Sequence, residues 1–290
     1  MSEPTFTFVE PSVTPVLEPD LQRKVERCYR ICYKSEKHMK ETPDVFLKNI
    51  IHHTTGNHHW SPLEHARVEM KASIRIAADL ADWERERGTS FLTIKPYPVM
   101  CWHNGRKIIP YTDDIHHNTK CNIRGNFRTL LEYISEDGSR DYTDSSWRYF
   151  YQHIVSKVLS ERYPAVFSPE RTEELAKKYD PAKFENENVY FEILGPAIDY
   201  RTYHIVTSRD ILQELARHRS LSFSVESTRY CNYQKKGIVF CLPRPYEWAD
   251  ELTSTGMSHS ESLALTKICK AASETYLSLK IGRASCRERV

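Results

Sequence analysis

The chain has 290 residues, 40% of them hydrophobic, and 41 Lys+Arg against 39 Asp+Glu give a formal net charge of +2. So even a balance offers no global electrostatic case for nucleic acid or a membrane surface as partner. No apolar run approaches the roughly 18 residues of a membrane span, no N-terminal signal pattern is present, and the eight cysteines lack CxxC pairs, all of which favours a reduced, cytoplasmic protein.

The residues from Phe6 to Val9 predict a short first strand, followed by a Pro-marked loop. Leu21, Val25, Cys28 and Cys32 recur at helical spacing and predict a helix from Leu21 to Tyr33. A second helix should start after Thr42-Pro43 and run through Phe46, Leu47, Ile50 and Ile51. A His-rich turn around Gly56 comes next. From Ala66 to Ile76 apolar and polar residues alternate, with Ala66, Val68, Met70, Ala72, Ile74 and Ile76 on one face, which predicts a long half-buried strand.

Residues 78–188 read as a mainly helical insertion, with helical patterns near Phe127–Ile134, Trp147–Leu159 and Glu170–Lys178. Val189–Leu194 and Tyr200–Val206 return to strand composition. Thr207 with Asp210 suggests a capping box, and Ile211, Leu212, Leu215 and Ala216 form the stripe of a helix expected to end near Arg219. Ile238–Leu242 reads as a short strand and Glu261–Leu279 as a helix. Residues 281–290 do not continue that helix and resemble the translated read of a sequencing adapter. They are set aside as one would a tag, with the natural protein expected to continue beyond about Lys280. Three Arg and one Glu in this tail account for the whole net charge. Residues 1–280 are expected to form one α+β domain, a twisted, mainly antiparallel sheet flanked by helices.

The most informative stretch is Arg217-His218-Arg219, then seven residues, then Ser227, with Thr228 and Arg229 following. Cations, hydroxyls and backbone amides at this spacing suit a phosphate monoester or pyrophosphate. Residues two apart on a helix point about 200° away from each other, so Arg217 and Arg219 should serve different groups or one extended ligand. The bland alternative is that cations at a helix C-terminus relieve its dipole, for roughly a few tenths of a kcal/mol each. The small hydroxyl residues leading to Arg229 weigh against it, because they are not a solvated charged face.

The Arg-His-Arg pattern ending in Ser227, with its continuation Ser-Thr-Arg-Tyr-Cys-Asn-Tyr, resembles the signature of flavin-dependent thymidylate synthases. His59-Trp60-Ser61-Pro62-Leu63-Glu64-His65 is similar to that family's turn before a long strand. Arg30-Ile31-Cys32-Tyr33 resembles a weaker early motif, and Arg124-Gly125-Asn126-Phe127-Arg128 an element of longer members. The resemblance implies reductive methylation of dUMP to dTMP, with methylenetetrahydrofolate giving the carbon and FAD, reduced by NADPH, the hydride. It also implies a homotetramer whose subunits share active sites.

Carried over by motif, Arg217, His218 and Arg219 would contact FAD together with Ser61 and Glu64, and His59 would lie near the flavin. Glu214, Arg217, Val225, Glu226, Ser227, Thr228 and Arg229 would line the dUMP site. Arg229 is the expected phosphate donor, and Ser227 positions the pyrimidine more than it attacks it. Val225 departs from the Glu or Gln usual in the family. The family's C-terminal Asn/Arg/His motif is not found, so activity is expected of a full-length parent. The alternatives are a non-catalytic remnant and a phosphate- or nucleic-acid-binding module using the basic helix end.

Other constellations are weaker. His52, His53, His58, His59 and His65 crowd one segment, but no His-Glu-x-x-His helix or Cys pair accompanies them, so no metal is expected. Cys28 and Cys32, one helical turn apart, read as core thiols. His116 and His117 lie in a polar loop without evident partners.

Overall fold

The computed structural model describes residues 6–39, 44–52, 59–97, 101–103, 106–108, 119–137, 145–197, 199–218, 221–227, 231 and 238–241. The expectations at Gly56, His53, His58, His116, His117, Arg219, Thr228, Arg229, Glu261–Leu279 and 281–290 lie outside these residues. In chain order the elements are β1 (Phe6–Val9), β2 (Ser12–Pro15), α1 (Leu21–Cys32), α2 (Asp44–His52) and a 3-10 turn at Ser61–His65. Then come β3 (Arg67–Ser73), α3 (Ile74–Arg87), β4 (Thr93–Lys95), β5 (Cys101–His103), β6 (Arg106–Ile108), β7 (Lys120–Asn126), α4 (Phe127–Ser135) and α5 (Ser146–Arg162). The last are α6 (Pro169–Ala176), β8 (Phe191–Pro196), β9 (Tyr203–Val206), α7 (Arg209–Leu215) and β10 (Ile238–Cys241).

The chain divides into two compact units, one of residues 16–202 with 219–229, the other of residues 1–15, 203–218 and 230–290. The larger holds a four-stranded antiparallel sheet in the order β4-β7-β3-β8. In β3, Val68, Met70 and Ala72 are buried while Arg67, Glu69 and Lys71 are half-buried, the period of two expected of a strand with one face on the core. The strand is shorter than the sequence suggested. Ser73 is the N-cap of α3, and Ile74 and Ile76 enter the core from that helix. The alternation ran on by coincidence, since α3 is buried along most of its length from Ile74 to Glu84. Gly88, with φ of 64°, closes it in the left-handed conformation glycine adopts without penalty.

Segment 78–188 supplies the three expected helices and also β4 and β7, two of the four strands. In β7, Cys121, Ile123 and Gly125 face inward between exposed Lys120, Asn122 and Arg124. Gly125 lets the Leu92 side chain lie close against the strand, since a Cβ there would meet Leu92 Cδ2 at 2.5 Å and push it aside. Asn126 ends the strand and caps α4, its Oδ1 accepting from Thr129 N–H at 2.9 Å. The α3 and α5 helices share a buried ion pair, Arg148 Nε to Asp79 Oδ1 at 2.7 Å, and Tyr133 donates to the other carboxylate oxygen at 2.6 Å.

In the smaller unit β1 pairs in parallel with β10, the expected strands, and β2 pairs antiparallel with β9. The β9 strand starts at Tyr203, later than the composition suggested. Two expectations for α7 are corrected. Its N-cap is Ser208, which makes no side-chain cap bond, and not Thr207 of a capping box. The helix ends at Leu215 with Ala216 as C-cap, so Arg217 follows the helix in a turn and the helical argument separating it from Arg219 does not apply.

Candidate functional site

Three separated pieces of sequence meet at the C-terminal end of α1 in the larger unit. Asp20 starts this helix by accepting from the N–H groups of Gln22 and Arg23. Its apolar stripe buries Leu21, Val25, Cys28, Tyr29 and Cys32. Arg30, of the weak early motif, is engaged locally: it bonds Glu26 Oε1 at 3.0 Å, and its guanidinium lies 3.7 Å from the Phe46 ring centre. Lys34 then takes a positive φ of 49°, which turns the chain out of the helix.

The upstream motif forms the 3-10 turn Ser61–His65, with Pro62 in its first turn and Pro62, Leu63 and His65 buried. Tyr29 donates its hydroxyl to the His59 carbonyl at 2.7 Å, and the His59 ring packs edge-on against Tyr29 and Tyr33. Burial lowers the pKa of His59 and takes that of His65 down to about 4, with Lys24 assisting and Glu64 opposing at His65. Both imidazoles are therefore neutral near pH 7. Glu64 Oε1 accepts from Arg128 Nη1 at 2.6 Å, while Arg128 Nε binds Glu132 Oε1 at 2.8 Å. Burial of Arg128 opposes its charge, but the bonds to Glu132 and Glu64 outweigh it and raise its pKa.

The downstream piece, residues 221–227, has neither helix nor strand and lies against α1. Ser227 N–H donates to the Cys32 carbonyl at 2.9 Å, and Lys34 Nζ pairs with Glu226 Oε1 at 3.4 Å. Ser224 sits beside Cys28, whose thiol burial pushes up to about 12, Cys32 adding to the rise and the Ser224 hydroxyl offsetting part of it. Tyr200, under the Arg67 guanidinium at 4.6 Å, contacts Ser222, and burial raises its pKa.

The larger unit thus gathers His59, Ser61, Glu64, Val225, Glu226 and Ser227 of the expected site, with Val225 half-buried. Glu214, Arg217 and His218 belong to the smaller unit. There Arg217 Nη1 lies 2.8 Å from the Glu214 carboxylate, with the side chains 75% and 66% exposed. Lys34, Arg67, His65, Arg128 and Tyr200 join the site without having been assigned to it. His65 and Arg128 stood inside recognised motifs, and Arg67 two residues beyond one; nothing in the sequence marked Tyr200.

Three buried polar atoms here, His59 Nδ1, His65 Nε2 and Arg67 Nε, have no hydrogen-bond partner among the described residues. Leaving one such group unmet costs about 1–3 kcal/mol, so a cluster of them fits a polar ligand that would satisfy them. A cavity of about 280 Å³ elsewhere, lined by His52, Ser168, Glu170 and Arg171 among others, includes none of the motif residues. Among the described residues no His, Cys, Asp and Glu side chains group to hold a metal ion, and no helix is long and apolar enough to cross a membrane.

Comparison with curated proteins finds no match. A family model described as thymidylate synthase complementing protein matches residues 199–288, a range that takes in the Arg-His-Arg signature and stops short of the upstream turn. Over residues 199–288, therefore, the chain is similar to the thymidylate synthase complementing proteins, the flavin-dependent family its signature resembles, and the match supports a thymidylate synthase-related function.

Proposed function

We propose that this chain is, or derives from, a flavin-dependent thymidylate synthase that methylates dUMP to dTMP with methylenetetrahydrofolate and NADPH-reduced FAD. The observation that carries the reading is the meeting of the turn and the 221–227 segment at the end of α1, around buried polar atoms that lack partners. Bound FAD would supply hydride transfer, chemistry that no side chain here provides.

The protein's own residues would bind and orient. Neutral His59 offers a hydrogen bond without a competing charge. Arg128 fixes the Glu64 carboxylate, so Glu64 would act as an oriented acceptor beside Ser61. Ser227 spends its N–H on Cys32, so its hydroxyl would be the group that addresses the pyrimidine, flanked by Val225, Glu226 and Thr228. Arg217 is paired with Glu214, but an ion pair this exposed is worth about 0–1 kcal/mol and yields readily to a phosphate or diphosphate. Arg217, His218 and Arg219 would serve the coenzyme, and Arg229 with Glu214 the nucleotide. The enzyme would work in the cytoplasm as a homotetramer with shared sites.

Purified full-length protein should show flavin absorbance and form dTMP from dUMP when given NADPH and methylenetetrahydrofolate. Arg217→Ala with Arg219→Ala should strip the coenzyme. Undiminished retention, or salt-sensitive oligonucleotide binding with no flavin, would overturn the reading.

A further inference from the structure

We propose that residues 221–227 form a strap that docks on and lifts from the end of α1 as a local unit, so that Glu226 and Ser227 are delivered to the site by a moving element. The naming of what is delivered rests on the proposed function; the motion does not.

The geometry supports it in three ways. The strap contributes no helix or strand, Leu221 is exposed and its other apolar residues, Phe223 and Val225, are only half-buried, so no fully buried apolar side chain of its own is lost to water when it lifts. Its anchors include a main-chain bond from Ser227 to Cys32, the Lys34–Glu226 pair at 18% and 37% exposure, and hydroxyl contacts of Ser222 and Ser224. What it covers, by contrast, belongs to a firm helix. Cys28 is only 4% exposed, with Ser224 beside it. Lifting the strap would uncover a thiol that the docked state shields and keeps protonated.

Cys121 supplies an internal control. It is fully buried in β7, in the middle of the four-stranded sheet, and becomes reachable only when that sheet opens. The test is alkylation of the full chain by N-ethylmaleimide under native conditions, with labelling of Cys28 and Cys121 followed by peptide mass spectrometry. Cys28 should react at least tenfold faster than Cys121. Lys34→Gln removes the ammonium while keeping a straight side chain at the positive φ. It should speed Cys28 labelling about two- to fivefold, the size a partly exposed ion pair commands, and leave Cys121 unchanged. Equal rates at the two thiols, or an equal acceleration of both by Lys34→Gln, would mean that Cys28 is reached only through global unfolding and would overturn the strap. No nucleotide or flavin enters the experiment, so its outcome is separate from that of the enzymatic assay.

Discussion

The turn Ser61–His65 and the segment 221–227 reach the same helix end and are held there in opposite ways. The turn is built into the core: Pro62, Leu63 and His65 are buried, and Tyr29 and Arg128 grip its flanks. The segment lies on the surface of that core, half-buried and without regular structure. Packing alone accounts for most of what the turn contains. It accounts for little of Ser222, Ser224, Glu226 and Ser227, whose hydroxyls and carboxylate stabilise the fold weakly, and residues of that kind are better explained by a ligand.

The difference can be broken most forcefully at Leu63. It is fully buried, so Leu63→Ala should cost about 2–5 kcal/mol, read as a lower denaturation midpoint with an unchanged slope. A loss under about 1 kcal/mol would mean that the turn is no more built in than the segment. Next in size is a pH effect at His65. Its folded pKa is about 4 against an unfolded 6.5, so between those values the unfolded chain binds the extra proton. Stability from this group is full above pH 6.5 and falls as pH drops towards 4, by on the order of 2–3 kcal/mol. The neutral variant His65→Gln should flatten that part of the profile, and an unchanged profile would place the titration elsewhere.

Arg128→Ala should cost about 1 kcal/mol, since the guanidinium is 41% exposed and solvent weakens its two bonds. A double-mutant cycle with Glu64→Gln would measure the coupling itself. Arg217→Ala should change stability least, within about 0.5 kcal/mol, while coenzyme retention is lost. A large loss of stability there would assign Arg217 to the fold.

Most helices were legible because their apolar stripes are what buries them, as Leu21, Val25, Cys28 and Cys32 show in α1. The β7 strand was missed although its alternation is present, because the inward positions are Cys121, Ile123 and Gly125, and a glycine reads as a break until its contact with Leu92 is seen. The end of β3 was overrun because Ile74 and Ile76 fit a strand and a buried helix equally well; the usable signal was Ser73, a capping residue. Asp79 and Arg148 could not be paired from sequence, since 69 residues separate them. At the site, motif matching found the turn and the segment. It could not find Lys34, Arg67 or Tyr200, whose roles exist only through neighbours distant in sequence.

The bond from Ser227 to Cys32 joins main chain to main chain. Swapping either side chain cannot erase it; only proline at 227, which lacks the N–H, would do so directly. The alignment of this stretch along the helix is therefore insulated from drift in its side chains. Positions 222 to 226 could be varied to retune what is recognised while the thread stays at the same address.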